Sequence, residues 1–242
     1  MRQIQTQKLQ TIRLQSVEEL YSFSVSRIRY DIIIFILDTE FLLRSQDMLF
    51  DFLNPEQKMR SLRYKTEMDK QNYIATHGCV NILFSKIEQC SISSLKNWVT
   101  KNKKPYIQNS HGLTYNISHT KGCAVVALGP GEIGIDIERI MDEFAYEKIW
   151  DRYFQSEYGC AFAKKMTQRK FYTFWTIKEA CLKYWGLGIS SILEVRILNY
   201  MGDWALTEHI AFGKCEVRIL HMEEGFVISL CSNEEKERLQ DV

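Results

Sequence analysis

Gly134-Ile135-Asp136-Ile137-Glu138 alternates apolar and acidic residues with a period of two. Residues two apart in a β-strand share a face. Asp136 and Glu138 therefore point together, while Ile133, Ile135 and Ile137 commit the other face to a core. Asp and Glu are poor strand formers. Two carboxylates held side by side also resist ionising together unless a cation or strong donors offset them. Carboxylate oxygens suit a hard divalent ion such as Mg²⁺. A solvated strand edge is the plainer account of the same letters. A second stretch adds to the first. Residues 174–183, FWTIKEACLK, read as a helix carrying a third carboxylate, Glu179, and two lysines, Lys178 and Lys183. Three acids with cations nearby are what a metal-bound polyphosphate substrate requires. Taken alone, Glu179 and Lys183 are also an ordinary i, i+4 pair worth about 0.2–0.5 kcal/mol.

Size and charge narrow the options. The chain has 242 residues, 45% of them hydrophobic, enough for one large or two small domains with a substantial core. A net charge of +1 gives no global attraction to nucleic acid or to an anionic membrane, and neither is expected as a partner. The apolar run 32–37 is too short to cross a bilayer, and residues 1–15 lack the apolar core of a signal peptide. Seven cysteines without a CxxC pair favour reduced thiols, hence a cytoplasmic protein. Their spacing offers no zinc site.

Along the chain, residues 31–38 read as a buried strand. Asn54-Pro55-Glu56 reads as a helix start, with Asn as N-cap and Pro in the first turn. The helix or helix pair running to Glu88 carries Lys58, Arg60, Arg63, Lys65 and Lys70, most simply a solvated face. Lys104 closes a basic loop before an extended segment, because Pro105 disfavours helical backbone at the residue before it. Residues 113–119 and 123–128 read as strands joined by a Lys-Gly turn. Gly129-Pro130-Gly131 is a sharp break, and it suggests domains 1–129 and 130–242. In the second, the helix stripe Phe174, Ile177 and Cys181 should face the core, and four short strands follow. Ser118-His119 at a strand end suits phosphate contact, although a lone histidine there is more often structural. A Ser-His-Asp hydrolase triad is disfavoured: there is no GxSxG elbow, and adjacent strand residues face opposite ways.

Asn116-Ile-Ser-His119, Gly134-Ile-Asp-Ile-Glu138 and Trp175-Thr-Ile-Lys-Glu-Ala-Cys-Leu-Lys183, in this order and spacing, resemble the three signature motifs of the 4′-phosphopantetheinyl transferases. The type is the larger, monomeric one named for the surfactin synthetase activator. Lys104-Pro105-Tyr106 resembles its KP motif, and Asn54-Pro55-Glu56 with Arg60 resembles its N-terminal basic helix. Tyr153-Phe154-Gln-Ser-Glu157 resembles its F-x-x-x-E stretch. The similarity runs from about residue 50 to about residue 190. Two positions depart from the pattern: Lys103 stands where a Gly is usual, and Gln57 where a Lys is often found.

The resemblance implies an α+β fold of two pseudo-symmetric subdomains, each a small antiparallel sheet packed with helices, with the active site between them. It implies transfer of the 4′-phosphopantetheine group of coenzyme A to a serine of an apo acyl or peptidyl carrier protein, with release of 3′,5′-ADP. By resemblance, Asp136, Glu138 and Glu179 hold Mg²⁺, Glu179 is the base, and Lys183 neutralises the pyrophosphate. Arg60, Lys70, Lys104, Ser118 and His119 contact the coenzyme A phosphates. A carrier docking near residues 144–154, with Lys148 and Arg152, is a further expectation, against the reading that those aromatics are core. Two alternatives stay open. One is a Mg²⁺-dependent phosphohydrolase of coenzyme A or a nucleotide diphosphate. The other is a binding partner of a synthase complex without activity, which would not require all three acids and Lys183.

Overall fold

The computed structural model describes residues 8–25, 28, 31–99, 104–108, 111–223 and 225–232. The basic loop residues 101–103 and the charged tail after Ser232 lie outside them. Two compact units divide the chain, residues 1–131 and 132–242.

In the first unit, β1 (Leu9–Arg13), α1 (Val17–Ser22) and β2 (Ile32–Asp38) lead into α2 (Thr39–Asp51), α3 (Pro55–Ser61) and α4 (Glu67–Ile87). A two-stranded ribbon of β3 (Asn97–Val99) and β4 (Pro105–Ile107) precedes the hairpin of β5 (Leu113–Thr120) and β6 (Cys123–Pro130). The four-stranded sheet has the order β1-β2-β6-β5. It is antiparallel except at its β1 edge, where β1 runs parallel to β2. Alternate residues of β2 (Ile33, Phe35, Leu37) and of β6 (Ala124, Val126, Leu128) bury one face in a common core with α4. The start of α3 follows the expected chemistry. Asn54 Oδ1 accepts from the Gln57 amide at 2.8 Å, and Gln57 Oε1 accepts from the Asn54 amide at 3.0 Å, a complete capping box. Gln57 Oε1 also accepts from Asn81 Nδ2 at 2.7 Å, which ties α3 to α4. A lysine at position 57 could donate but not accept, so both bonds explain the glutamine there.

In the second unit, β7 (Ile133–Arg139), α5 (Glu147–Tyr153) and α6 (Gln168–Trp185) precede β8 (Val195–Tyr200), β9 (Trp204–His209), β10 (Gly213–His221) and β11 (Phe226–Ser232). The sheet order is β7-β11-β10-β9-β8, antiparallel throughout. Thr167 caps the start of α6 by accepting from the Lys170 amide, and Gly186 ends it at φ +70°, a left-handed conformation that glycine adopts without strain. As the spacing predicts, Phe174, Ile177 and Cys181 are fully buried and pack with Val217, Ile219 and Cys231 of the sheet. The molecule is thus α+β, with a four-stranded and a five-stranded sheet, each packed with helices. Among the described residues, no helix is long and apolar enough to cross a membrane.

Candidate active site

The site of the second unit starts from a glycine. A Cβ at Gly134 would lie 2.1 Å from the Ala180 carbonyl oxygen and 2.3 Å from the Tyr184 amide nitrogen. Only glycine allows α6 to lie this close to β7. The sequence pattern suggests a β7 face given over to acids; instead, α6 covers that face where Gly134 stands. The acids therefore sit at a helix–sheet junction. Asp136 is only 5% exposed, and Lys183 Nζ donates to its Oδ1 at 2.7 Å.

Glu179 stands one turn before Lys183 on α6. Burial is the main cause that pushes its carboxyl up to about 7, the nearby Asp136 charge adds to the shift, and Lys183 opposes it. Asp136, Glu179 and Lys183 thus form one electrostatic cluster. Glu138 follows on the same strand face, partly exposed, and lines a groove of about 260 Å³ with Phe144, Ile149, Phe171, Tyr172 and Trp175. Burial and then the Glu138 charge push the Tyr172 phenol above its ordinary range. Asp136 and Glu179 at a partly desolvated junction, with Glu138 two residues further along β7, supply oxygen ligands of the kind a hard dication takes.

The other lysine of the motif goes elsewhere. Lys178 is fully buried, with Nζ 3.2 Å from Glu157 Oε2, 2.9 Å from the Tyr153 carbonyl and 4.6 Å from the centre of the Phe154 ring. Glu157 Oε1 accepts from the Ile197 amide at 2.9 Å. The expectation of two lysines near the carboxylates is corrected on this point. One step along a helix turns a side chain by about 100°, so Lys178 and Glu179 cannot serve the same cluster. Most aromatics of residues 144–154 are core as well: Phe154 is fully buried, and Tyr146, Trp150 and Tyr153 pack against the same cluster.

In the first unit, Arg60 stands over the Tyr73 ring at 5.5 Å and lines an open groove of about 540 Å³ with Glu56, Met59, Arg63 and Tyr64. Burial pushes the Tyr73 phenol up to about 12. Lys70 lies 3.5 Å from Glu67. His119 is exposed at the end of β5, its Nε2 4.0 Å from Asp69 Oδ1 near the start of α4. Ser118 is buried, so strand alternation turns the two neighbours to opposite sides. Lys104 leads into β4, partly exposed.

Sequence reasoning missed Tyr172 and Trp175 as lining residues and Glu157 as the partner of Lys178. A signal for the first two was present. Tyr172, Trp175, Glu179 and Lys183 recur at spacings of three and four, one stripe of α6.

Residues 132–240 match the family model of the 4′-phosphopantetheinyl transferase superfamily, a span that holds β7 and α6. The chain is 24% identical over 202 residues to 4′-phosphopantetheinyl transferase Sfp of Bacillus subtilis (strain 168), covering 81% of this chain and 89% of that protein. It is 28% identical over 160 residues to the L-aminoadipate-semialdehyde dehydrogenase-phosphopantetheinyl transferase of Schizosaccharomyces pombe, covering 58% and 62% of the two chains. To 4′-phosphopantetheinyl transferase gsp of Aneurinibacillus migulanus it is 31% identical over 137 residues, covering 53% and 54%. The second unit thus carries the match to the 4′-phosphopantetheinyl transferase superfamily, and most of the chain is similar to the Bacillus subtilis transferase Sfp.

Proposed function

We propose that this protein transfers 4′-phosphopantetheine from coenzyme A to a serine of an apo carrier protein, in a Mg²⁺-dependent reaction that releases 3′,5′-ADP. The observation that carries the reading is the Asp136–Glu179–Lys183 cluster within the span that matches the family. The carrier serine Oγ attacks the β-phosphorus of the coenzyme A pyrophosphate. A new Ser Oγ–P bond forms, and the P–O bond to the bridging oxygen breaks. Glu179, as carboxylate, takes the serine proton. Lys183 supplies positive charge for the departing phosphate.

Asp136, Glu138 and Glu179 are the residues that would hold Mg²⁺, which when bound supplies charge neutralisation to the pyrophosphate. Phosphoryl-type transfer depends mostly on positioning and electrostatics, so a small set of charged groups is sufficient machinery. The first unit is assigned the coenzyme A phosphates, through Arg60, Lys70, Lys104, Ser118 and His119. The second is assigned the metal and the proton transfer. Two units in one chain favour a monomer, which light scattering checks. Reduced thiols favour a cytoplasmic location.

The deciding experiment is intact mass spectrometry of a panel of apo carrier proteins incubated with the enzyme, coenzyme A and Mg²⁺. The expected result is a gain of one phosphopantetheine, lost with EDTA and with Glu179→Gln. Cleavage of coenzyme A in solution with no gain on any carrier would replace this reading with the phosphohydrolase.

A further inference from the structure

Three cysteines far apart in the sequence converge in the core of the second unit. Cys181 comes from α6, Cys215 from β10 and Cys231 from β11. Their three Sγ atoms all lie within 4.8 Å of one another, and Cys181 and Cys215 are 3.6 Å apart. Cys181 and Cys231 are fully buried, and Cys215 is 9% exposed. Tetrahedral Zn²⁺ with Zn–S bonds of about 2.3 Å places its sulfurs about 3.8 Å apart, so small side-chain adjustments bring three sulfurs around one ion. Thr207 Oγ1 adds a neutral oxygen 3.2 Å from Cys181 Sγ and 3.0 Å from Cys215 Sγ. His209 lies two residues further along β9, on the same face as Thr207. Its Nε2 lies 3.3 Å from Glu194.

We propose that Cys181, Cys215 and Cys231 form a binding site for a thiophilic d¹⁰ dication, Zn²⁺ above all, distinct from the carboxylate cluster. Binding exchanges three thiol protons for one dication, forming three metal–sulfur bonds and releasing the protons to solvent. The sulfurs are the soft ligands that Zn²⁺ selects and Mg²⁺ does not. Cys215, next to the turn at 210–212, is the point of entry, being the least buried of the three. Cys181 is two residues from Glu179, about 200° around α6, so the ion clamps the buried side of the helix to β10 and β11 while the opposite side serves the acids. Cysteine spacing could not reveal this site, because its ligands come from three elements and none lies in a CxxC pair. The proposal is independent of the transferase reading.

The test uses the full chain, reduced and stripped of metal, titrated with Cd²⁺ as probe and followed by ultraviolet thiolate-to-metal charge transfer. Carboxylates give no such band, so occupancy of the acidic cluster does not register. The expected result is saturation at one equivalent, displacement by Zn²⁺, and at least a tenfold loss of affinity in Cys215→Ser and in Cys231→Ser. Cys215→Ser, at the least buried position, guards against a variant that fails to fold. Cys90→Ser and Cys160→Ser should leave the titration unchanged. Absence of a band at one equivalent would overturn the site. So would a band that survives Cys215→Ser and Cys231→Ser but is lost with Cys90→Ser or Cys160→Ser.

Discussion

Glu179 carries the strongest single-residue expectation. Its carboxyl, pushed to about 7 by burial and by Asp136, binds a proton in the folded chain at pH values where the unfolded chain, near 4.5, has lost it. The folded state therefore holds more protons between these two values, and stability falls as pH rises through that window. The full effect is at most about 3 kcal/mol for a shift of this size. In metal-free protein, Glu179→Gln should remove this slope. Its melting temperature should exceed wild type at pH 8, and the gap should close at pH 4.5, as read by calorimetry across pH. The same substitution should lower kcat by about 10²–10⁴-fold, the usual worth of a general base. A wild-type kcat in Glu179→Gln would place the base elsewhere.

At the scale of elements, the approach of α6 to β7 positions the cluster, and Gly134 sets that approach. A methyl group there meets backbone at both the Ala180 oxygen and the Tyr184 nitrogen, and neither can swing aside as a side-chain tip can. Gly134→Ala should force the helix outward, destabilise by more than about 3 kcal/mol as a severe overpacking, and cut activity even in the folded fraction, because Lys183 would leave Asp136. Denaturant unfolding beside kcat measures both. Behind the helix, Lys178 and Glu157 form a fully buried ion pair. Lys178→Met alone should cost about 3–5 kcal/mol, since it strands a buried carboxylate. Lys178→Met with Glu157→Leu should recover much of that loss. Chemical denaturation of the three variants checks this, and a double variant no better than the single one would show that the Glu157 bond to Ile197 matters more than the charge. Part of this was legible in the letters. Period-two alternation put Asp136 and Glu138 on one face, and the stripe Phe174, Ile177, Cys181 found the buried side of α6. Which sheet face the helix would cover was not legible, because amphipathic patterns mark a buried side without naming its partner. Lys178 was misread for a related reason: a lysine beside a catalytic-looking glutamate carries no mark that its partner is Glu157, 21 residues earlier.

For the whole molecule, a net charge of +1 and a pI of about 7.6 leave no global field to gather an anionic donor. On the proposed function, capture of coenzyme A would rest on local cations, and Arg60 and Arg63 line a groove in the first unit that offers them. Arg60 also stands over the Tyr73 ring, so its guanidinium is pre-positioned by the aromatic face and less freedom is lost on binding. A hydrogen bond to a charged group contributes about 1.5–3 kcal/mol. Arg60→Ala should therefore raise KM for coenzyme A by roughly ten- to a hundredfold, with kcat nearly unchanged, because the contact is made equally in ground and transition states. Asp136→Asn should do the opposite, lowering kcat and raising the Mg²⁺ requirement. The two sets of steady-state constants, measured at low and at high salt, separate donor binding from chemistry. The KM effect of Arg60 should shrink as salt screens the phosphate contact. An unchanged KM in Arg60→Ala at low salt would move the donor phosphates away from α3 and leave Lys70, Lys104, Ser118 and His119 as the proposed contacts still to test.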